Sequence, residues 1–158
     1  MIDHPFPPLF DEASEILILG SFPSVKSREQ AFFYGHPQNR FWKVLAGVLE
    51  QDVPQTIPEK SVFLHRNHIA LWDVIAACDI TGSSDSSIKN ARPNDLRPIL
   101  ETAPIRKIFT NGQAAHKAYC RWQEPVLGIK AVCLPSTSPA NAAWNLERLV
   151  EEWGKIIE

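Results

Sequence analysis

Three segments bring together residue types that could do chemistry. Gly20-Ser21-Phe22-Pro23-Ser24 places a glycine, a proline and two hydroxyls within five residues. Such a loop can turn backbone N–H groups toward an anion or the polar edge of a ring, although a tight turn would need no more than its Gly and Pro. It is not a P-loop, because the GxxxxGK[ST] spacing is absent. Phe32-Phe33-Tyr34-Gly35-His36-Pro37-Gln38-Asn39-Arg40-Phe41-Trp42 sets five aromatics among polar residues. A segment built only to be apolar would not be broken by His-Pro-Gln-Asn-Arg. Aromatic faces beside amides suit a pocket that stacks a flat heterocycle and reads its edge by hydrogen bonds. Pro135-Ser136-Thr137-Ser138-Pro139-Ala140-Asn141 is rich in hydroxyls, carries no charge and is expected to run directly into a helix. Its Ser and Thr, with the first N–H groups of that helix, would form a neutral phosphate-docking surface; helix capping alone would also account for it.

Other chemistries are poorly served. No GxSxG elbow surrounds Ser136 or Ser138. His65 and His68 stand three apart with no carboxylate or cysteine cluster, which is too little for a metal. Cys78, Cys120 and Cys133 are odd in number and lack CxxC spacing. That argues against a disulfide framework, a structural zinc or an iron–sulfur cluster, and leaves them as small buried residues.

Four short apolar runs must position these loops. Glu15–Gly20, His68–Asp73, Arg106–Gly112 and Lys130–Pro135 read as buried strands. Between them lie helical patterns. Phe41, Val44, Leu45, Val48 and Leu49 follow i, i+3, i+4, i+7, i+8 spacing with Asn39 as a cap in front. Asn94-Asp95 opens a helix that Pro104 must follow, Gly112–Trp122 reads as another, and Asn141 or Asn145 caps a last one ending near Ile157. Strands alternating with helices predict a three-layer α/β/α sandwich around a parallel sheet of about four strands. The functional loops of such a sheet lie beyond the carboxyl ends of its strands, so Gly20–Ser24, Trp72-Asp73-Val74, Thr110-Asn111-Gly112 and Pro135–Asn141 should meet at one edge.

With 158 residues and no repeat or linker, the chain is expected to be one domain, residues 1–158. Hydrophobic residues at 44% and charged residues at 22% exclude a disordered protein. No apolar run is long enough for a membrane span, and Met1-Ile2-Asp3-His4-Pro5 does not read as a signal peptide, so a cytoplasmic protein is expected. The net charge is −2, yet Gly20–Lys43 holds four bases (Lys26, Arg28, Arg40, Lys43) against Glu29. One basic face could meet a polyanion while the acidic termini repel it; a solvated basic face is the plainer alternative.

Gly20-Ser21-Phe22-Pro23, Tyr34-Gly35-His36-Pro37-Gln38-Asn39-Arg40-Phe41-Trp42 and Leu134-Pro135-Ser136-Thr137-Ser138-Pro139-Ala140 together resemble the uracil-DNA glycosylase superfamily, and within it the hypoxanthine-DNA (deoxyinosine) glycosylase branch. Ser83-Ser84-Asp85-Ser86-Ser87-Ile88-Lys89-Asn90 is similar to that branch too. The resemblance implies an α/β/α enzyme that removes deaminated bases from DNA without metal or cofactor. Phe22 stands where many relatives carry an Asn or Asp that handles the attacking water, and the resemblance moves that work to Asn39. It makes Tyr34 the ring that stacks on the flipped base, and Ser21, Phe22, Pro23 and Ser136 the other base-binding residues. Ser136 replaces the His or Asn of relatives, which disfavours efficient uracil excision, and Pro139 and Ala140 are small for a wedge. Ser24, Lys26, Arg28, Thr137, Ser138 and Asn141 are the expected DNA-binding residues.

The chemistry suits those residue types. An N-glycosidic bond breaks through an oxocarbenium-like sugar, so the site must stabilise a departing base and place a water. No lysine lies in the aromatic segment, so no Schiff-base lyase activity is expected. The expectation is a monomeric, monofunctional glycosylase with damaged DNA as its partner and hypoxanthine favoured over uracil. A mismatch-type uracil glycosylase and a catalytically silent DNA- or nucleotide-binding domain are the alternatives.

Overall fold

Ile16-Leu17-Ile18-Leu19 has no polar face, and a strand apolar on both sides must be covered on both sides. The computed structural model describes all 158 residues. In chain order the elements are β1 (Ile2–Asp3), β2 (Ile16–Gly20), α1 (Val25–Gln30), α2 (Phe41–Leu49), α3 (Ile57–Arg66), β3 (Ile69–Asp73), β4 (Ile75–Asp79), β5 (Lys89–Pro93), α4 (Arg97–Thr102), β6 (Lys107–Asn111), α5 (Gln113–Ala118), α6 (Glu124–Leu127), β7 (Val132–Leu134) and α7 (Leu146–Trp153). Four parallel strands form the central sheet in the order β3-β2-β6-β7. All five residues of β2 are buried, as are all five of β3.

Helices flank this sheet as expected. The apolar face of α2 packs on α7, where Gly47 lets the two helices approach: a Cβ there would lie 2.9 Å from Val150 Cγ2. Fully buried Trp153 of α7 meets the Phe41 ring edge-on at 5.8 Å, and its indole N–H donates to the Pro135 carbonyl at 2.9 Å. One contact thus ties the last helix to the loop after β7.

Three features depart from the expected outline. A second, antiparallel sheet of order β1-β4-β5 leaves the end of β3 after a single residue, Val74. Its strands escaped notice because β4 is rich in small residues and β5 is a mostly exposed edge, Lys-Asn-Ala-Arg-Pro, with no apolar alternation. The helix α3 was also missed, although Thr56 and Glu59 form a capping box, with Thr56 Oγ1 accepting from the Glu59 N–H at 3.2 Å. Finally, the loop after β7 does not run straight into a helix. α7 begins at Leu146, capped by Asn145, whose side chain accepts from the Arg148 N–H at 2.9 Å. The first N–H groups of α7 are therefore not part of the Pro135–Asn141 surface.

The N-terminal segment reaches under the parallel sheet's carboxyl edge through His4. Its Nε2 lies 2.7 Å from Asp73 Oδ2, and both side chains are almost wholly buried. The rings of Phe6 and Trp72 stand 4.5 Å and 4.4 Å from the imidazole. Removing one partner leaves a buried carboxylate unmatched, which is costly. His4→Ala should lower unfolding free energy by about 3 kcal/mol in denaturant titrations, and Asp73→Asn added to it should restore part of the loss. A single variant as stable as the parent would show that the pair is dispensable.

Candidate active site

The carboxyl ends of β2, β3 and β6 and the loop after β7 open onto one cavity of about 420 Å³, within the usual size of small-molecule sites. Gly20–Ser24, the Tyr34–Asn39 stretch and Ser136–Ala140 all reach it, as the strand order requires. So do Asp73, Asn111 and Ser83–Asp85, whose segments the sequence marked but to which it gave no role. Asp73 and Asn111 each end a buried strand, which is the signal that could have found them. No Lys or Arg lines the cavity, and no three His, Cys, Asp or Glu side chains converge as metal ligands would.

Asn39 is fixed from two sides. Its Oδ1 accepts the Phe41 N–H at 3.0 Å and the Thr137 hydroxyl at 2.8 Å. Thr137 is in turn held by Asn111, whose Oδ1 accepts the Thr137 N–H at 3.1 Å and whose Nδ2 donates to Thr137 Oγ1 at 3.0 Å. The two backbone N–H groups decide which way each amide faces. With both acceptor positions of Oδ1 occupied, the functional end of Asn39 is its NH2 group, a double donor. The side chain caps α2 and presents donors to the cavity with the same amide, so capping and a role in the site are one arrangement. The free end of this amide can donate hydrogen bonds and cannot accept a proton.

Tyr34 adopts a left-handed backbone with φ of 50°, a conformation that is costly for a residue with a side chain. Its ring lies on that of Phe41 with centroids 3.9 Å apart and planes 17° from parallel. The phenol oxygen is buried without a hydrogen-bond partner. Burial and the nearby Asp73 carboxylate push its ionisation well above the ordinary tyrosine range. The floor here has no slack: a Cβ on Gly20 would lie 2.5 Å from Asp73 Oδ1 and 3.1 Å from the Tyr34 oxygen. Phe22 and Pro23 are buried in the same wall, Phe22 packing edge-on against His4 at 5.9 Å.

Ser21 donates its hydroxyl to Asp85 Oδ1 at 2.6 Å. Asp85 as a residue is exposed, but this carboxyl is drawn onto buried Ser21 at the cavity wall. Burial of the carboxyl, with Asp73 nearby, raises its pKa. The turn that carries it, Asp85–Ser87, is tied to α1: Ser83 Oγ accepts the Val25 N–H at 2.9 Å and Arg28 donates to the Gly82 carbonyl at 2.6 Å.

Several of the residues expected to contact DNA also make bonds within the protein. Thr137 is wholly buried and clamps Asn39. Ser24 caps α1 through the Ser27 N–H and hydroxyl. Arg28 holds Gly82, and the Asn141 amide braces the Ser136 carbonyl at 3.0 Å. Arg40, counted above in the basic face, donates to the carbonyls of Ser138, Asn141 and Trp144. Exposed Lys26, 3.4 Å from Glu29, and half-buried Ser138 stay accessible. Ser136 lines the cavity, its Oγ accepting the Ser138 N–H at 3.1 Å and its hydroxyl proton free. Cys78 is buried as expected, while Cys120 is exposed and Cys133 half-buried.

A match to the uracil DNA glycosylase superfamily covers residues 7–155. The chain belongs to the uracil DNA glycosylase superfamily. It is 37% identical to a hypoxanthine DNA glycosylase of Methanosarcina acetivorans, over 99% of each chain. A hypoxanthine DNA glycosylase of Methanosarcina barkeri is 36% identical over 86% of each. The solution NMR structure of an M. acetivorans protein described as a candidate uracil DNA glycosylase superposes with a TM-score of 0.83 at 35% identity, covering 99% of this chain and 96% of that one. Like that structure, this member of the superfamily keeps its four-stranded parallel sheet between helices.

Two expectations follow for this superfamily site. Asn39→Ala should slow single-turnover base release by roughly 30–1,000-fold, and Thr137→Val by roughly 10–100-fold through misplacement of the amide. The double variant should be little slower than Asn39→Ala alone; a loss equal to the product of the two would separate Thr137 from Asn39. Asp85 gives a stability test. Its folded pKa lies above the ordinary 3.8, so its contribution is complete below that value and is lost as pH rises through the folded pKa. Asp85→Asn should melt above the parent at neutral pH, with the gap closing near pH 3; a gap that widens on acidification would contradict this.

Proposed function

We propose that this glycosylase hydrolyses the N-glycosidic bond of deoxyinosine in DNA and releases hypoxanthine, with uracil a poorer substrate. The observation that carries the reading is the clamped Asn39 amide, whose oxygen is held by Phe41 and Thr137 while its NH2 donors are left for the cavity it lines. The names of the Methanosarcina relatives support the choice of base.

The target nucleotide must leave the stack, which costs a few kcal/mol and less at a mispair. Its base would enter the cavity against Tyr34, whose other neighbour is the Phe41 ring. As the C1′–N9 bond lengthens, positive charge grows on the sugar and electrons flow into the base. The Asn39 NH2 group donates to the base and gains strength as that charge develops. Ser136, with a free hydroxyl proton, adds a second donor. The Asp73 carboxylate, held by His4, favours the cationic sugar. Water then adds to C1′, leaving an abasic site. Ser138 and Lys26 at the mouth would meet the DNA backbone.

Duplex oligonucleotides bearing deoxyinosine, deoxyuridine or deoxyxanthosine, incubated with the protein and then cleaved with alkali, test this directly. Strand breaks at deoxyinosine should exceed those at deoxyuridine. Because Arg28 and Arg40 bond carbonyls inside the protein and leave only Lys26 and Lys43 of the Gly20–Lys43 bases exposed, affinity should fall by only one or two powers of the salt concentration, at roughly 0.9 log unit per phosphate contact. An absence of breaks with all three substrates would overturn the reading.

A further inference from the structure

We propose that Asp85 is the general acid of the reaction: it protonates the leaving purine at N7 and then takes a proton from the water that adds to the sugar. The inference rests on the deoxyinosine reading above and names a catalytic residue for that same site.

The first argument is charge. The cavity is lined by two carboxylates, Asp73 and Asp85, and by no Lys or Arg. A purine leaving as an anion would be pressed against like charge at a site of low dielectric. Departure as a neutral base avoids this and requires a proton from the wall. The second argument is elimination among groups that line the cavity. Tyr34 holds its proton more tightly than an ordinary tyrosine. The Nδ1 of His36 is taken up by the Gln38 N–H, 3.1 Å away. Asp73 accepts from His4. Asp85 is left. Ser21 donates to Oδ1, so Oδ2 makes no bond within the protein and is the oxygen that can carry a transferable proton.

The third argument is preparation. Titratable groups face Asp85 from the neighbouring elements: Asp73 from β3, Tyr34 from the aromatic segment and Cys78 from β4, while Arg28 of α1 is engaged by the Gly82 carbonyl. Burial raises the Asp85 pKa, the Ser21 hydroxyl opposes this and Asp73 adds to it, so Asp85 retains its proton to higher pH than an ordinary aspartate. A carboxyl that holds its proton more tightly than an ordinary aspartate is the better proton donor for such a step. The turn that carries it is fixed by Ser87, whose Oγ accepts the Thr81 N–H at 2.9 Å and donates to the Ser84 carbonyl at 2.6 Å.

The step balances. The Asp85 proton moves to N7, the C1′–N9 electron pair passes to the base, and neutral hypoxanthine leaves an oxocarbenium sugar. The water oxygen bonds to C1′ and its surplus proton returns to the Asp85 carboxylate. One water is consumed and the acid is regenerated.

Single-turnover excision from duplexes containing deoxyinosine or 7-deaza-deoxyinosine, from pH 5 to 9, provides the test. The parent should lose rate as pH rises through the Asp85 pKa, about tenfold per unit beyond it. Asp85→Asn should be at least 100-fold slower at the low-pH plateau, with that limb gone. The 7-deaza base has no N7 to protonate, so parent and variant should cut it slowly and equally, which needs no variant to fold. An Asp85→Asn protein with the parent's rate and pH profile, a slower one that keeps the profile, or a parent that cuts both bases equally fast would overturn the proposal while leaving the glycosylase reading intact. A parent that cuts no deoxyinosine would remove both.

Discussion

The joint between the start of α2 and the loop after β7 is the constraint on which the rest of the site depends. The Arg40 N–H donates to the Thr137 carbonyl at 3.1 Å, and the Thr137 hydroxyl returns to the Asn39 side chain. Around this core the Arg40 guanidinium gathers three carbonyls of the Ser138–Trp144 turn. Segments about 100 residues apart in sequence thereby become one rigid wall. A guanidinium is suited to this because its fork of donors is planar and always charged. Its charge is matched by carbonyls, so it does not advertise itself to a polyanion outside.

The opposite wall is built differently. Asp73 and Asp85 come from the end of β3 and from the turn before β5, and neither faces a lysine or arginine across the cavity. Asp73 is steadied by a histidine from the first residues of the chain, and Asp85 by a serine hydroxyl. These two environments differ enough to give two acids of the same type different duties. The pairing also explains why the second sheet exists where it does: Val74 and Ile75 continue to bond the Gly20 and Ser21 carbonyls at 2.8 and 3.1 Å. That holds the glycine-serine loop open beside the carboxylates.

Much of this was legible in the sequence. Strands such as Ile16–Gly20 declare themselves through unbroken apolar character, and once they are parallel, the loops after them must meet. Polar residues interrupt aromatic ones between Tyr34 and Trp42 for no packing reason, which marks that segment as a pocket; the roles given to Asn39, Tyr34 and Ser136 come from the family resemblance. What escaped was the destination of each hydrogen bond. Ser24, Arg28, Thr137 and Asn141 have the residue types of a phosphate surface, but a side chain's type says what it can donate and not to whom. Their partners are decided by long-range closure of the fold. Asp85 is the converse case: the resemblance marked Ser83–Asn90 without a role for its one acid, and only the contact with Ser21, 64 positions away, gives that acid a place.

The bonds through Thr137 also have a direction. Asn111 donates to the Thr137 hydroxyl and that hydroxyl donates to Asn39, while the Thr137 N–H returns a separate backbone bond to Asn111 Oδ1. Aligned donors polarise one another in a medium of low dielectric, so the local dipoles add and their positive end emerges at the Asn39 NH2 group. A cavity walled by two acids is thus supplied with positive potential by neutral groups alone. Such a source attracts no counterion cloud and is not screened as a surface charge would be. The chemistry inside can remain constant over ionic strengths at which the grip on DNA changes.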